Sequence, residues 1–175
     1  MPAPLHAALL TALRNTARTL DEADVPWVVT GSTARALSGF AVQPRDLDIE
    51  VPAAAMDAAA SLLGLTVTDV RDAQARSRRG AGTAGPVPVD VSAGLVLMGP
   101  AGVLPPDFDL MASFATAVDI GGRTVPVMPL EEQIVRILIT GDESRRRRFV
   151  EEAPDGFVPR DDYVSARLGS ARATR

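Results

Sequence analysis

The segment from residue 27 to residue 51, WVVTGSTARALSGFAVQPRDLDIEV, limits the possible folds of this chain more than any other stretch. A β-branched run ends at Gly31-Ser32, a short stretch of helix-forming residues follows, and a second apolar run carries Asp46 and Asp48. This order predicts a buried strand, a short helix and a second strand, close together in the chain. The question that this stretch raises is which function would need Gly31-Ser32 and the pair Asp46 and Asp48 close together.

The rest of the chain alternates between strand and helix patterns, which predicts an α+β fold: a small mixed β-sheet with helices packed against it. The predicted strands cover 25–31, 46–52, 66–72 and 86–94, with a hairpin over 116–128; the predicted helices cover 4–23, 32–38, about 53–65 and several segments after Pro129. Residues 73–85 are predicted to form a mobile, basic loop, and residues 95–112 give no clear pattern.

The detailed predictions concern how these elements begin and which faces they bury. Ser32 or Thr33 is expected to cap the short helix, and the prolines beside Asp90 suggest an edge or a strand start. After Pro129 the expected buried face consists of Ile134, Ile137 and Leu138. A change in composition near Pro129 divides one domain into a core over 1–128 and a C-terminal helical segment over 129–175.

Composition restricts the chemistry that the chain can perform. There is no cysteine, which excludes disulfides, thiolate zinc sites and cysteine nucleophiles. All 18 basic residues are arginine, so no lysine can act as a base, and the single histidine, His6, is expected on the surface of the first helix. No apolar run reaches the roughly 18 residues that span a membrane, and no signal peptide is recognisable, so we expect a cytoplasmic protein. Any catalysis by this chain must therefore depend on carboxylates, hydroxyls, arginines and any bound metal.

Asp46 and Asp48 lie on one face of their predicted strand, with Cα atoms about 7 Å apart. Two carboxylates so close repel each other, and a divalent cation removes that repulsion because hard cations prefer carboxylate oxygens. The alternative is a solvated acidic face, which the neighbouring Glu50 favours. A second Asp-x-Asp pair, Asp107 and Asp109, follows two prolines and is expected in a turn.

Two further features favour the metal site. Gly31-Ser32 lies where a strand meets a helix, and free amides at such a position bind phosphate. Asp90 is flanked by valines in a predicted strand, where an aspartate is costly without a partner. If that strand neighbours 46–52, three carboxylates meet beside the phosphate site. Arg35 and Arg45 are candidate phosphate neighbours, with surface ion pairing as the alternative.

A strand ending in Gly31-Ser32, a helix, Asp46-x-Asp48 on the next strand and a single Asp90 on a later one resemble the DNA polymerase β-like nucleotidyltransferase superfamily. The similarity is greatest to the small bacterial branch that includes AbiEii-type toxins and antibiotic nucleotidyltransferases. Thirteen residues separate Ser32 from Asp46, and the resemblance extends over roughly 25–140.

This resemblance implies a role for each residue of the motif. Gly31 and Ser32 would hold the β- and γ-phosphates of an NTP, and Asp46 and Asp48 would bind two Mg²⁺ ions. Asp90 would bind the catalytic ion and help to deprotonate the acceptor hydroxyl. The reaction would be transfer of an NMP to a small molecule, a tRNA or a protein, with release of pyrophosphate. The toxin members further imply a cognate antitoxin as a partner.

The chain departs from this branch at one place, because Arg136 stands where members often carry a lysine. An alternative is therefore a catalytically inactive nucleotide-binding or protein-interaction module with the same fold. Gly80, Gly82 and Gly85 spell G-x-G-x-x-G, but Pro86 follows where a dinucleotide site requires a helix. The arginines of the predicted loop and the run Arg145–Arg148 could contact substrate or could simply be solvated.

Overall fold

The computed structural model describes residues 5–171. The helices of this range are α1 (Ala7–Glu22), α2 (Gly31–Leu37), α3 (Met56–Leu63), α4 (Phe108–Ser113), α5 (Leu130–Thr140), α6 (Glu143–Glu152) and α7 (Asp161–Gly169). The strands are β1 (Val28–Val29), β2 (Leu47–Val51), β3 (Thr66–Arg71), β4 (Ala75–Ala84), β5 (Val87–Gly99), β6 (Gly102–Leu104), β7 (Thr116–Asp119) and β8 (Thr124–Val127). No helix within residues 5–171 is long and apolar enough to cross a membrane.

All eight strands belong to one mixed sheet, in the order β3-β4-β5-β2-β1-β8-β7, with β6 paired to β5. β2 runs parallel to β5 and β1 parallel to β8, whereas β1 and β2 are antiparallel. In the parallel register Asp48 lies directly beside Asp90. The predicted α+β class and the mixed sheet are therefore confirmed, and the condition that the strand of Asp90 neighbours the strand of Asp48 is met.

The two faces of β2 have different chemistry, as its alternating sequence predicts. Leu47, Ile49 and Val51 are buried in the main core, which α1 and α3 complete. Asp48 and Glu50 lie on the opposite face. The apolar face thus fixes the orientation of the strand, and with it the direction in which the acidic side chains point.

The predicted mobile loop over 73–85 is wrong, because most of it forms β4, an interior strand paired with β3 and β5. Its glycines serve close packing. A Cβ at Gly80 would lie 2.9 Å from Cε of Met56, and one at Gly82 would lie 2.6 Å from Cδ2 of Leu65. Both distances are too short for real side chains, so these positions let β4 approach α3 and the residues that follow it.

β5 is also an interior strand, so its prolines do not mark an edge; they mark the alternative, a strand start, because Pro86 precedes β5 and Pro88 is its second residue. Pro88 pairs with β4 alone, since pairing with β2 begins only at Val89. The missing N–H therefore breaks no bond to β2. The uninterpreted residues 95–112 complete β5 and form β6 and α4. Asp107 caps α4 by accepting a hydrogen bond from the Leu110 amide at 3.1 Å, so it begins a helix.

One helix start and one helix face differ from expectation. Thr30, and neither Ser32 nor Thr33, holds the N-cap position of α2. Pro129 precedes α5 as its N-cap. The predicted buried face of α5 is wrong: Leu138 is 48% exposed, while the buried positions are Leu130, Glu131, Glu132, Val135, Ile139 and Thr140. The hairpin of β7 and β8 is confirmed, and Asp142 caps α6. The boundary at residue 128 stays a prediction.

Candidate active site

An open pocket of about 520 Å³ lies between the polar face of the sheet and the two helices α5 and α6. Its lining includes Gly31, Ser32, Asp46, Asp48, Arg145 and Arg148. The Gly-Ser turn and the Asp-x-Asp pair, 13 residues apart in the chain, therefore share one cavity. This is the arrangement that the order of strand, helix and strand predicts.

Backbone contacts hold the turn against β2. The Thr30 amide donates to the Asp48 carbonyl at 2.9 Å, and Oγ1 of Thr33 donates to the Asp46 carbonyl at 2.9 Å. Gly31 has φ +62°, a conformation that favours glycine. A Cβ at this position would overlap the carboxylate of Asp48, whose Cγ would lie 2.9 Å away. The Asp48 side chain therefore occupies part of the space beside Gly31, where a phosphate was expected to approach the backbone.

The three candidate carboxylates are close enough to repel one another. The pKa of Asp48 is raised from 3.8 to about 6, first because the group is buried and then because Asp46 and Asp90 are both negative. Arg79 and Arg35 offset part of this effect. Asp48 therefore carries an unfavourable charge at neutral pH, which a bound cation would relieve.

Asp90 is held by Arg79 of β4. The Nε atom of Arg79 donates to Oδ2 of Asp90 at 2.6 Å, and a second guanidinium nitrogen donates to the same oxygen. Asp46 and Asp48 line the pocket, whereas Asp90 lies beside it. Among residues 5–171 no group of three acidic or histidine side chains is arranged to hold a metal ion. Asp48 and Asp90 are thus neighbours in the sheet, but the three carboxylates do not converge on a single position for a metal ion.

Arg35 lies in the pocket wall, where it is engaged on both sides. Its Nε donates to Glu152 at 2.8 Å and its Nη1 to Gln133 at 2.8 Å. Gln133 in turn donates to the Gly31 carbonyl at 3.0 Å. These bonds fix α2 to α5 and α6. Arg45 is exposed and lines a separate cavity, so it does not share the pocket.

The sequence did not predict the roles of Gln133, which lines the pocket, and of Glu50, which pairs with the pocket residue Arg136. Gln133 carries no sequence signal, since a glutamine on a helix is ordinarily a surface residue. Glu50 favours the solvated-face alternative in the sequence, yet only 3% of it is exposed. Its carboxylate accepts from Arg136 at 2.8 Å, and Arg136 also donates to Glu132 at 2.9 Å.

Arg136, the residue that replaces the family's usual lysine, is thus part of a buried ion-pair network. Burial would lower the pKa of its guanidinium, but the carboxylates of Glu50 and Glu132 outweigh burial and raise that pKa above its usual value. Glu132 also accepts from Tyr163 at 2.7 Å and from Arg167 at 2.9 Å, both on α7. The network ties three elements together next to the acidic strand.

The exposed arginines of the pocket belong to α6. Arg145 is largely exposed and pairs with Asp142 at 3.2 Å. Arg148 is exposed, and its Nε donates to the Ser144 carbonyl at 3.4 Å, with no carboxylate partner among residues 5–171. These side chains face the same cavity as Gly31 and Ser32. The pocket therefore combines a carboxylate side with an arginine side.

Comparison with solved structures identifies the architecture. A crystal structure from Thermotoga maritima, for which a nucleotidyltransferase activity has been proposed, has a TM-score of 0.70 at 21% identity. The match covers 85% of this chain and 96% of that one. The chain has the nucleotidyltransferase fold. The predicted resemblance to the DNA polymerase β-like superfamily is thus confirmed at the level of the fold.

Two antibiotic-modifying enzymes share the nucleotidyltransferase fold with this chain. The lincosamide antibiotic adenylyltransferase LnuA, bound to lincomycin, has a TM-score of 0.52 at 13% identity and covers 85% of this chain and 97% of its own. ANT(2″)-Ia, in complex with adenylyl-2″-tobramycin, has a TM-score of 0.50 at 15% identity, with coverages of 92% and 95%. No protein-family model matches the sequence, and no curated protein matches it.

Proposed function

We propose that this chain is a metal-dependent nucleotidyltransferase, which moves an NMP from an NTP to a hydroxyl acceptor and releases pyrophosphate. One observation carries the proposal. On a nucleotidyltransferase fold, Asp46 and Asp48 face a pocket that Gly31, Ser32 and Arg148 also line. Acidic groups that bind cations and basic groups that bind phosphate are the two halves of a site for phosphoryl chemistry.

The carboxylates fit a divalent cation by their chemistry. Mg²⁺ prefers oxygen ligands, and burial together with the negative charges of Asp46 and Asp90 raises the pKa of Asp48, a cost that a bound cation would offset. Asp46 and Asp48 would hold the metal, with Asp90 as a further ligand and two ions as the number that the family resemblance implies. Bound Mg²⁺ supplies charge neutralisation at the phosphates of the nucleotide.

The side chains on the other side of the pocket would hold the nucleotide. Gly31 and Ser32 would contact the β- and γ-phosphates, and Arg145 and Arg148 would neutralise them. Arg35 contributes by fixing α2 to its neighbours. Arg45 has no part in this pocket, because it lines a separate cavity.

The reaction is an in-line displacement at the α-phosphorus. The acceptor oxygen forms a bond to that phosphorus while the bond to the bridging oxygen of the β-phosphate breaks, and pyrophosphate leaves. Asp90 takes the proton of the acceptor hydroxyl. The acceptor is a small molecule, an RNA such as tRNA, or a protein; a cognate antitoxin would accompany the chain if it acts as an AbiEii-type toxin. The proposed location is the cytoplasm.

A transfer assay tests the proposal. Each α-labelled NTP is incubated with the chain, Mg²⁺ and separate pools of tRNA, protein and aminoglycoside acceptors. We expect label in at least one pool, lost in Asp48→Asn and kept in Asp109→Asn. Asp109 is a matched control, because it belongs to the second Asp-x-Asp pair and is exposed outside the pocket. Nucleotide binding with no label in any pool would instead support the inactive-module alternative.

A further inference from the structure

Arg79 occupies an unusual position for an exposed arginine. It lies on β4, one strand away from Asp90, and both of its contacts to that carboxylate go to the single oxygen Oδ2. Within residues 5–171 it forms the only ion pair made by Asp46, Asp48 and Asp90. Arg79 is therefore the arginine that directly compensates the charge of Asp90.

We propose that Arg79 is a positioning residue that holds Asp90 in a resting arrangement and competes with a divalent cation for it. This inference rests on the proposed function, because it assumes that Asp90 joins Asp46 and Asp48 around the cation. In the resting chain the guanidinium neutralises Asp90 and keeps it out of the pocket. A bound cation would replace the guanidinium at Asp90, and this carboxylate would then serve as a ligand together with Asp46 and Asp48.

The strength of the pair suits such a release. The Arg79 side chain is 53% exposed and the Asp90 side chain 23% exposed. Ion pairs this accessible to water contribute little to stability, because solvent screens them. Arg136, by contrast, is bound to two buried carboxylates and cannot move without uncovering them. Arg79 is thus the arginine near the acidic cluster that a cation can displace.

The neighbouring Arg78 provides a matched control on the same strand. Alternation turns its side chain to the opposite face of the sheet, where it pairs with Asp57 of α3 at 2.7 Å. Arg78 is similarly exposed, with 40% of its side chain accessible. Replacing Arg78 removes the same charge from the same strand without releasing Asp90.

The test is Mn²⁺ binding, followed by the electron paramagnetic resonance signal of free Mn²⁺ in the presence of a non-hydrolysable NTP analogue. We expect Arg79→Gln to lower the apparent Kd for Mn²⁺ by about two- to fivefold, which is the scale of losing a competing exposed ion pair. Arg78→Gln should leave that Kd unchanged. Arg79→Lys keeps the charge but cannot donate two hydrogen bonds to Asp90 in the same way. It replaces the glutamine variant if that variant does not fold, and it too should bind Mn²⁺ more tightly than the parent.

Each outcome decides between the two proposals. Unchanged or weaker Mn²⁺ binding in the Arg79 variant would overturn the competition, and weaker binding would show instead that the guanidinium helps to present Asp90 to the cation. If Arg78→Gln lowered the Kd for Mn²⁺ by the same factor, the loss of net charge alone would explain the effect, and the proposed competition would also be overturned. If the parent chain itself binds no Mn²⁺, the proposed function fails, independently of Arg79.

Discussion

Gly31 and Asp48 depend on each other at the residue scale. The backbone at Gly31 has a positive φ, and the missing side chain makes room for the Asp48 carboxylate. The hydrogen bond from Thr30 to the Asp48 carbonyl keeps the two segments together. The conformation of the Gly-Ser turn and the position of the acidic side chain are therefore one structural feature, built from two distant parts of the sequence.

Substitution of Gly31 tests this interdependence. We expect Gly31→Ala to destabilise the chain by about 2–4 kcal/mol, since strain at positive φ adds to overlap with Asp48. Gly64→Ala is the control: Gly64 has φ +64°, but a Cβ there meets nothing within 4 Å. It should lose only the roughly 1 kcal/mol of backbone strain. Equal losses of unfolding free energy in urea titrations of the two variants would show that Asp48 does not crowd Gly31.

The raised pKa of Asp48 predicts how stability depends on pH. Folding raises that pKa from 3.8 to about 6, so the folded chain holds the proton more tightly than the unfolded chain. This contribution to stability is complete below about pH 4 and is lost as the pH rises through about 6. The ionised carboxylate then costs up to roughly 3 kcal/mol without metal.

Asp48→Asn removes this titration. In EDTA we expect the variant to be more stable than the parent by about 1–3 kcal/mol at pH 7.5, with the difference disappearing near pH 4. Urea titrations at both pH values measure it. A parent chain that is equally or more stable than the variant at pH 7.5 would mean that the carboxylate is well compensated without a cation.

Much of the site could be predicted at this scale, because Gly31-Ser32 and Asp46-x-Asp48 are local patterns with a clear strand alternation. Asp90 stood out because valines flank it. The role of Arg79 could not be predicted, since its partner lies 11 residues away across a hairpin that the sequence did not reveal. Arg45 stands next to Asp46 in sequence, yet the successive side chains point to different cavities.

At the scale of elements, α5 differs most from its sequence pattern. Apolar residues at Ile134, Ile137 and Leu138 suggested the buried face, but Glu131 and Glu132 are buried instead. They are tolerated because arginines from other elements reach them: Arg160 contacts Glu131, and Arg167 contacts Glu132. Such partners lie about 30 residues further along the chain, beyond the reach of a periodicity argument.

The Glu132 network should dominate the attachment of α7. Burial alone would raise the pKa of Glu132, but Arg136 and Arg167 keep it below its usual value, so the group stays charged. We expect Glu132→Gln to lose about 3–5 kcal/mol, because it leaves two buried arginines undercompensated. Glu143→Gln, which breaks an exposed pair with Arg146, should change stability by about 0.5 kcal/mol or less. Similar small changes in both variants, by thermal unfolding, would contradict the network.

α6 offers a test of the basic side of the pocket. Arg148 lines the cavity, whereas the adjacent and equally exposed Arg147 does not. We expect Arg148→Gln to weaken NTP binding about tenfold, the equivalent of about 1.4 kcal/mol, and Arg147→Gln to leave it nearly unchanged. Calorimetric titration with NTP and Mg²⁺ measures both. Equal effects would indicate a diffuse charge contribution from the whole arginine run.

β4 shows why one element was missed altogether. Glycine and arginine are poor strand formers, so the run over 73–85 reads as a loop. The structure places it between β3 and β5, where the glycines fit closely against α3 and its following residue. Tertiary packing determines this strand, and no local sequence preference reveals it. The same strand carries Arg79 into the site.

At the scale of the whole molecule, the sheet order and the helices around it form the nucleotidyltransferase fold, which is shared with structures of 13–21% identity. The sequence predicted this class because the strand, helix and strand over 25–51 are local and strongly patterned. The antibiotic-modifying neighbours place their chemistry on the same architecture, but their acceptors are not carried over by fold alone. In this chain Arg145 and Arg148 of α6 add positive charge to the pocket, which disfavours binding of a polycation.

The central claim is that the pocket binds a nucleotide and a divalent cation together, through Asp48. The most direct measurement is the change in melting temperature on addition of each NTP, of Mg²⁺, and of both, for the parent chain and for Asp48→Asn. We predict that NTP and Mg²⁺ together stabilise the parent by more than the sum of their separate effects, and that this excess disappears in the variant. A shift with NTP that ignores Mg²⁺, or an excess that survives in Asp48→Asn, would contradict the account.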